Sequence, residues 1–187
     1  MLKKGDVPES IDIELLNTQG SSLSLKNAMN SNGLVVIFSC NSCPFVIGTE
    51  NFPGWENTYN SLFNEAKRLK IGFILINSNE GKRKNEDSFE NMKLRAEEKN
   101  YLMPYLLDEK SKVANSFGAK TTPHVFLLDK DFKLLYSGSI DNMADNKRKG
   151  HNAYLLNALL SHSLNKKIKN YITNPVGCSI KRLKTKS

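Results

Sequence analysis

Leu34–Val46 reads Leu-Val-Val-Ile-Phe-Ser-Cys-Asn-Ser-Cys-Pro-Phe-Val, an apolar run opened by Asn32 and Gly33 and closed by the cysteine pair Cys40 and Cys43. A short apolar run bounded by turn residues predicts a buried strand over Leu34–Phe38. The two thiols therefore sit where that strand hands over to the next element. Cysteines at this spacing close a small disulfide ring or share a metal, and a thiolate there feels the positive end of the following helix. A Cys-x-x-Cys beside a βαβ pattern points to dithiol redox chemistry when a later segment completes the site. Residues 121–129, Thr-Thr-Pro-His-Val-Phe-Leu-Leu-Asp, have the form of the strand that faces it.

Working outward, Ile11, Ile13 and Leu15 alternate with acids, and Leu23 and Leu25 alternate after the turn residues 17–20, so a hairpin is expected at the N-terminus. A helix should follow Pro44 and break at Pro53 and Gly54, since proline offers no N–H and clashes with the preceding turn. Beyond the break, Trp55, Tyr59, Leu62, Phe63, Ala66 and Leu69 keep helical spacing. Ile71–Asn77 predicts a second buried strand. A polar connection, 78–85, then leads to a helix with Phe89, Met92 and Ala96 on one face. Ser111–Phe117 reads as a short helix ending at Gly118. Val125–Asp129 and Lys133–Gly138 read as a strand hairpin, and Asn152–Leu164 as the last helix. Strands alternating with helices, closed by a hairpin and a helix, give an α/β sandwich of three layers.

The 187 residues suit one domain, 1–165, with a basic C-terminal extension, 166–187, that contains Cys178. A chain this long buries about 70% of the surface its unfolded form exposes. No run is apolar enough to span a bilayer, and no apolar stretch follows Lys3 and Lys4, so neither a membrane partner nor a secretory signal is expected. The expected location is the cytoplasm, where thiols stay reduced and three cysteines are reactive or metal-binding rather than structural. The net charge of +8 is lopsided: residues 1–146 hold 17 basic and 19 acidic side chains, and residues 147–187 hold 10 basic and none acidic. Aromatic residues are not interleaved with these cations, which argues against a nucleic-acid role and for a solvated extension. No glycine-rich phosphate loop and no serine–histidine–acid arrangement is present.

With the strand, the Cys-Asn-x-Cys-Pro-Phe-Val motif at 40–46, Thr-Pro-His-Val-Phe at 122–126, Gly-x-Ile-Asp-Asn at 138–142 and Gly-Cys-Ser-Ile-Lys at 177–181 in order, the chain resembles the thioredoxin superfamily. It is most similar to the peroxiredoxin-like redoxin branch. The resemblance implies a thioredoxin-like sandwich around a central mixed sheet, with the hairpin extension at one end and the basic tail at the other. It also implies a cis Pro123 facing the thiols, with Thr122 offering backbone N–H and C=O to an extended substrate segment. No cofactor is implied.

Register within the motif assigns roles. Counted from Phe38 as in thioredoxins, the nucleophile falls on Cys43 and its partner position on Val46, leaving Cys40 as an extra thiol upstream. A one-gap shift would instead make Cys40 the nucleophile and Cys43 the resolver. Counted as in peroxiredoxins, the proline, threonine and peroxidatic cysteine fall on Cys40, Pro44 and Ile47, so ordinary thiol peroxidase activity is the weakest of the readings. The buried aspartate that thioredoxins carry before the strand phenylalanine is Ile37 here. A helix N-terminus stabilises an anion by about 0.3–1 kcal/mol, up to about 2 when partly buried, or roughly half to one and a half pKa units. That is enough to bring a thiol of pKa about 8.5 toward reactivity near neutral pH, provided the Cys43 sulfur is accessible.

Cys178 lies in an apolar alternation, Val176, Cys178, Ile180, that predicts docking near Cys43, either as the thiol that resolves a Cys43 intermediate or as a small docking residue with no redox role. The expected activity is thiol–disulfide exchange with a protein disulfide or small-thiol substrate and a cellular thiol reductant. In it Cys43, Cys40 and Cys178 are catalytic, and Thr122 and Pro123 bind substrate. The alternative is a non-catalytic protein that binds a partner, or copper or zinc through Cys40, Cys43 and His124. The clusters Lys82–Asp87 and Glu97–Lys99 read as solvated faces.

Overall fold

A computed structural model describes residues 1–144 and 149–183. Lys147, Arg148, Lys184 and Lys186, four of the cations behind the basic-tail reading, lie outside the described residues. The chain order is β1 (Leu15–Asn17), β2 (Ser22–Leu23), α1 (Leu25–Ala28), β3 (Leu34–Ser39), α2 (Pro44–Ile47), α3 (Glu56–Arg68), β4 (Gly72–Asn77), α4 (Phe89–Glu98), β5 (Tyr105–Leu107), α5 (Lys112–Phe117), β6 (Thr121–Thr122), β7 (His124–Leu128), β8 (Leu134–Gly138), α6 (Tyr154–Ser163) and β9 (Cys178–Ser179). The main sheet runs β2-β1-β5-β4-β3-β7-β8. β3 pairs in parallel with β4 and antiparallel with β7, so the sheet is mixed and β3 is central. β6 and β9 form a separate antiparallel pair.

Both faces of β3 are apolar because both are covered. Val35 and Ile37 join a cluster with Tyr59, Leu62 and Ala66 of α3, Met92 of α4, and Leu155 and Leu159 of α6. Leu34, Val36 and Phe38 point the other way, into a cluster with Leu25 of α1 and Val113, Ala114 and Phe117 of α5. Two helical layers with the sheet between them make the three-layer α/β sandwich of the thioredoxin-like fold.

The departures are local. Ile11 and Ile13 stand outside any strand, and the hairpin is confined to β1 and β2. Leu25 opens a helix instead of extending a strand, because the Ser24 side chain accepts from Asn27 N–H and caps it. The helix after Pro44 ends at Gly48, with φ 94, several residues before the proline expected to break it. Trp55 stands at the N-cap of α3 and donates from Nε1 to Asp141 Oδ1 at 2.8 Å, tying that helix to the residues after β8. Two clusters read as solvated faces are partly structural. Glu56, buried on α3, accepts from Arg95 Nε at 3.0 Å and Tyr101 Oη at 3.1 Å and lies 3.4 Å from Lys99 Nζ; Asp87 is fully buried.

The extension is laid onto the body over its described length. Ile168 and Val176 pack against one core cluster and Ile180 belongs to the other. Among the described residues no helix is long and apolar enough to cross a membrane.

Candidate active site

The cysteine loop spans the gap between the end of β3 and the start of α2. Ser39 Oγ meets Tyr59 Oη at 3.0 Å at one end, and Pro44 takes the first helical position at the other, where a missing N–H costs nothing. Between them the loop rests on Asp87. Its Oδ1 accepts from Asn41 N at 2.7 Å and Asn77 Nδ2 at 2.8 Å, and its Oδ2 from Ser42 Oγ at 2.7 Å and Asn79 Nδ2 at 2.9 Å. Burying a carboxylate is expensive unless hydrogen bonds replace its water, and four donors do so here. Arg83 braces the same corner, donating to the Asp87 carbonyl at 2.6 Å and the Asn77 carbonyl at 3.0 Å.

Cys43 is the N-cap residue of α2. Opposite it, the Thr122–Pro123 peptide bond is cis. The Cys43 thiol donates to the Thr122 carbonyl at 3.0 Å, and Cys178 N–H donates to Cys43 Sγ at 3.3 Å. Cys40 Sγ lies 3.1 Å from Thr122 Oγ1. One dipeptide, Thr122–Pro123, therefore meets both thiols, with its backbone on Cys43 and its side chain on Cys40.

The two thiols are pushed in opposite directions. Cys43 is lowered to about 5, chiefly by a hydrogen bond from the Cys40 thiol; burial opposes this, and the Cys178 side chain and the Cys178 and Phe45 amides add to it. Cys40 is held well above its ordinary value, first because it is that donor, then by burial and by the charge of Asp87. Cys178 is pushed up to about 11 by burial and by its neighbour Cys43. Near neutral pH the arrangement holds one thiolate, on Cys43, and two thiols beside it.

Access differs from the expectation. Cys43 is 2% exposed, because β9 lies across it. It packs in a small cluster with Cys40 and Val46, flanked by Phe45 and Ile47, and Cys178 with its backbone N–H closes the remaining side.

His124 does not join the thiols. Its Nδ1 accepts from Lys120 N at 3.2 Å, its Nε2 meets Ser137 Oγ at 3.2 Å, and burial lowers its pKa to about 3, so it is neutral and fully engaged. The three-ligand set Cys40, Cys43 and His124 is not assembled, and among the described residues no group of three His, Cys, Asp or Glu side chains is placed to hold a metal ion.

The Redoxin family model matches residues 3–155, from the first turn to the start of α6. The chain belongs to the redoxin family. An uncharacterized conserved protein from Geobacillus kaustophilus is 30% identical, with TM-score 0.86 over 100% of this chain and 95% of that one. A hypothetical protein from Sinorhizobium meliloti 1021 is 26% identical, with TM-score 0.85 over 98% of this chain and 96% of that one. Peroxidoxin BcpB from Mycobacterium tuberculosis is 21% identical, with TM-score 0.61 over 86% of this chain and 98% of that one, and shares the fold. No curated protein matches the chain.

Two parts of this redoxin's site escaped the sequence reading. Asp87 sits in a charged stretch whose composition is that of a solvated loop, and only the asparagines at the end of β4 hint at a buried acceptor. The β6–β9 ladder is two residues long on each side, too short for any periodicity to register.

Proposed function

We infer that this redoxin is a thiol–disulfide oxidoreductase with Cys43 as nucleophile. The observation that carries the reading is the position of Cys43 at the N-cap of α2 beside cis Pro123, where the Cys178 N–H donates to its sulfur at 3.3 Å and, with the Cys40 thiol, favours the thiolate. The Cys43 thiolate attacks one sulfur of a substrate disulfide, the sulfur–sulfur bond breaks, and the second substrate sulfur leaves as thiolate and takes up a proton. Cys40 or Cys178 then loses its proton and attacks Cys43 Sγ, releasing the bound half of the substrate and leaving an intramolecular disulfide. A cellular thiol reductant of the cytoplasm returns two electrons. A thiol attacks best as thiolate, and a high-pKa partner is a poor leaving group. The low pKa of Cys43 thus favours the first attack, and in the second step the leaving group is the substrate thiolate, whose own pKa sets how readily the resolver releases it.

Reduction of a protein disulfide such as insulin's by the wild type, lost in Cys43→Ser, tests the reading; equal rates would overturn it. Peptide mapping without reductant after one turnover identifies the resolver, with the Cys43–Cys40 and Cys43–Cys178 bonds as distinct outcomes. Peroxide reduction is disfavoured by Ile47, which stands where a peroxiredoxin has its reactive thiol.

The displaced ionisation also sets a stability trend. Cys43 has a lower pKa folded, about 5, than an ordinary unfolded thiol at about 8.5. Its ionisation therefore stabilises the fold fully above about pH 8.5, and that contribution is lost as pH falls through about 5. Comparing denaturation midpoints of reduced wild type and Cys43→Ser should show the wild-type advantage shrinking steadily from about pH 9 to about pH 5. A gap constant across that range would mean that Cys43 is not ionised in the fold.

A further inference from the structure

The extension does more than cover the site; it occupies a strand position. Thr122 pairs with Cys178 and Thr121 with Ser179, antiparallel, and Ile180 N–H donates to the Lys120 carbonyl at 3.0 Å. Gly177 lies so close that an added Cβ would stand 2.2 Å from the Thr122 carbonyl oxygen. Beyond the cysteine, Ile180 is 5% exposed and joins the core cluster that contains Phe117 and Ala119. Lys181 N–H donates to Asn79 Oδ1 at 2.9 Å, and Arg182 Nη2 to the Ala119 carbonyl at 2.7 Å. Apart from Ile180, residues 171–182 are half-buried or exposed; upstream, Val176 packs on the core and Thr173 and Val176 bond Ser139, while residues 177–180 are held by Ile180 and the backbone ladder. Adding an extended segment to an open edge through main-chain bonds, with pockets for alternate side chains, is a peptide-recognition mode. A cysteine sits opposite Thr122 in it, with its amide on the Cys43 sulfur.

We propose that residues 177–180 are an internal substrate mimic, and that the site takes an extended polypeptide bearing a cysteine preceded by glycine and followed two positions later by an aliphatic residue. Such a segment displaces the tail from the Thr121–Thr122 edge. Its cysteine replaces Cys178, its glycine clears the Thr122 carbonyl, and its aliphatic residue fills the Ile180 site. The docked tail keeps Cys43 covered until that exchange occurs. The proposal names the substrate class for the exchange reaction inferred above and rests on that reading.

The test uses the full chain and the alkylation of Cys43 by iodoacetamide, located by mass spectrometry, with rates taken at the high-pH plateau where the thiol is fully ionised. Gly177→Ala, which cannot make the close approach, and Ile180→Asp, which loses the anchor, should each raise the plateau rate by about tenfold or more, since reactivity follows the uncovered fraction. A synthetic peptide of residues 175–182 with serine for the cysteine should slow alkylation of the Gly177→Ala protein again. The same peptide with alanine for the glycine should not. Plateau rates equal to wild type in both variants would show that the tail is no cap. Faster alkylation without protection by the first peptide would show that the uncovered edge does not take polypeptide. Neither readout uses disulfide reduction, so a failure of the oxidoreductase reading, in which Cys43→Ser retains activity, is seen separately.

Discussion

Serine in place of Cys43 is expected to lower disulfide exchange by about 10³-fold or more, the scale seen when a covalent nucleophile is removed. Serine is close to cysteine in size and its hydroxyl can donate to the Thr122 carbonyl as the protonated thiol does, so the fold should persist. What disappears is the group whose charge the site is arranged to hold: the Cys40 thiol, the Cys178 amide and the Phe45 amide all converge on that sulfur. Serine at position 40 should do much less to the first step. Cys40 acts there as a hydrogen-bond donor, and a hydroxyl donates as well. Initial rates against a protein disulfide, measured for both variants beside the wild type, separate these roles. A larger loss in Cys40→Ser than in Cys43→Ser would reverse the assignment.

The second large effect belongs to Asp87. Alanine there removes the acceptor of four hydrogen bonds and leaves the Asn41 amide and the Asn79 side-chain amide without their partner. Each buried donor left unpaired costs about 1–3 kcal/mol, so a loss of about 3–5 kcal/mol is expected, a large share of the roughly 5–15 kcal/mol that holds a domain folded. Chemistry suffers too. Asn41 and Ser42 form the turn between the two thiols, and an ångström of drift in a reacting group costs about 10²-fold in rate. The tail shares the support, because Asn79 Oδ1 is the acceptor for Lys181 N–H. Asp87→Asn should recover little, since an amide presents one acceptor and one donor group where the site supplies four donors. Urea unfolding read by fluorescence of Trp55 measures the loss; an unchanged midpoint in Asp87→Ala would refute the supporting role.

Much of this was readable in the chain. β3 declared itself because it is apolar on both faces and ends in the cysteines, and β4 and β7 are dominated by similar apolar runs. The cis Thr122–Pro123 bond facing the thiols was legible through the resemblance to thioredoxins, and the docking of Cys178 through the apolar alternation Val176, Cys178, Ile180. Length limits the rest. β5, β6 and β9 are two or three residues each, so their pairing depends on partners remote in sequence. Burial of polar groups was equally hidden. Asp87 and His124 carry side chains normally met at surfaces, and it took the asparagines of β4 and the neighbours Lys120 and Ser137 to show why each can be inside. The accessibility expected of Cys43 failed for the same reason, since the strand that covers it comes from the far end of the chain.

The most direct measurement is the order in which the three cysteines of the reduced wild type are alkylated by iodoacetamide as pH rises, each located by mass spectrometry. Cys43 should show the lowest midpoint of the three, at about pH 5, however slow its plateau rate beneath the tail, while modification of Cys40 and Cys178 rises only well into the alkaline range. A lower midpoint for Cys40 than for Cys43, or a Cys43 midpoint at about pH 8.5 like that of a free thiol, would contradict the assignment.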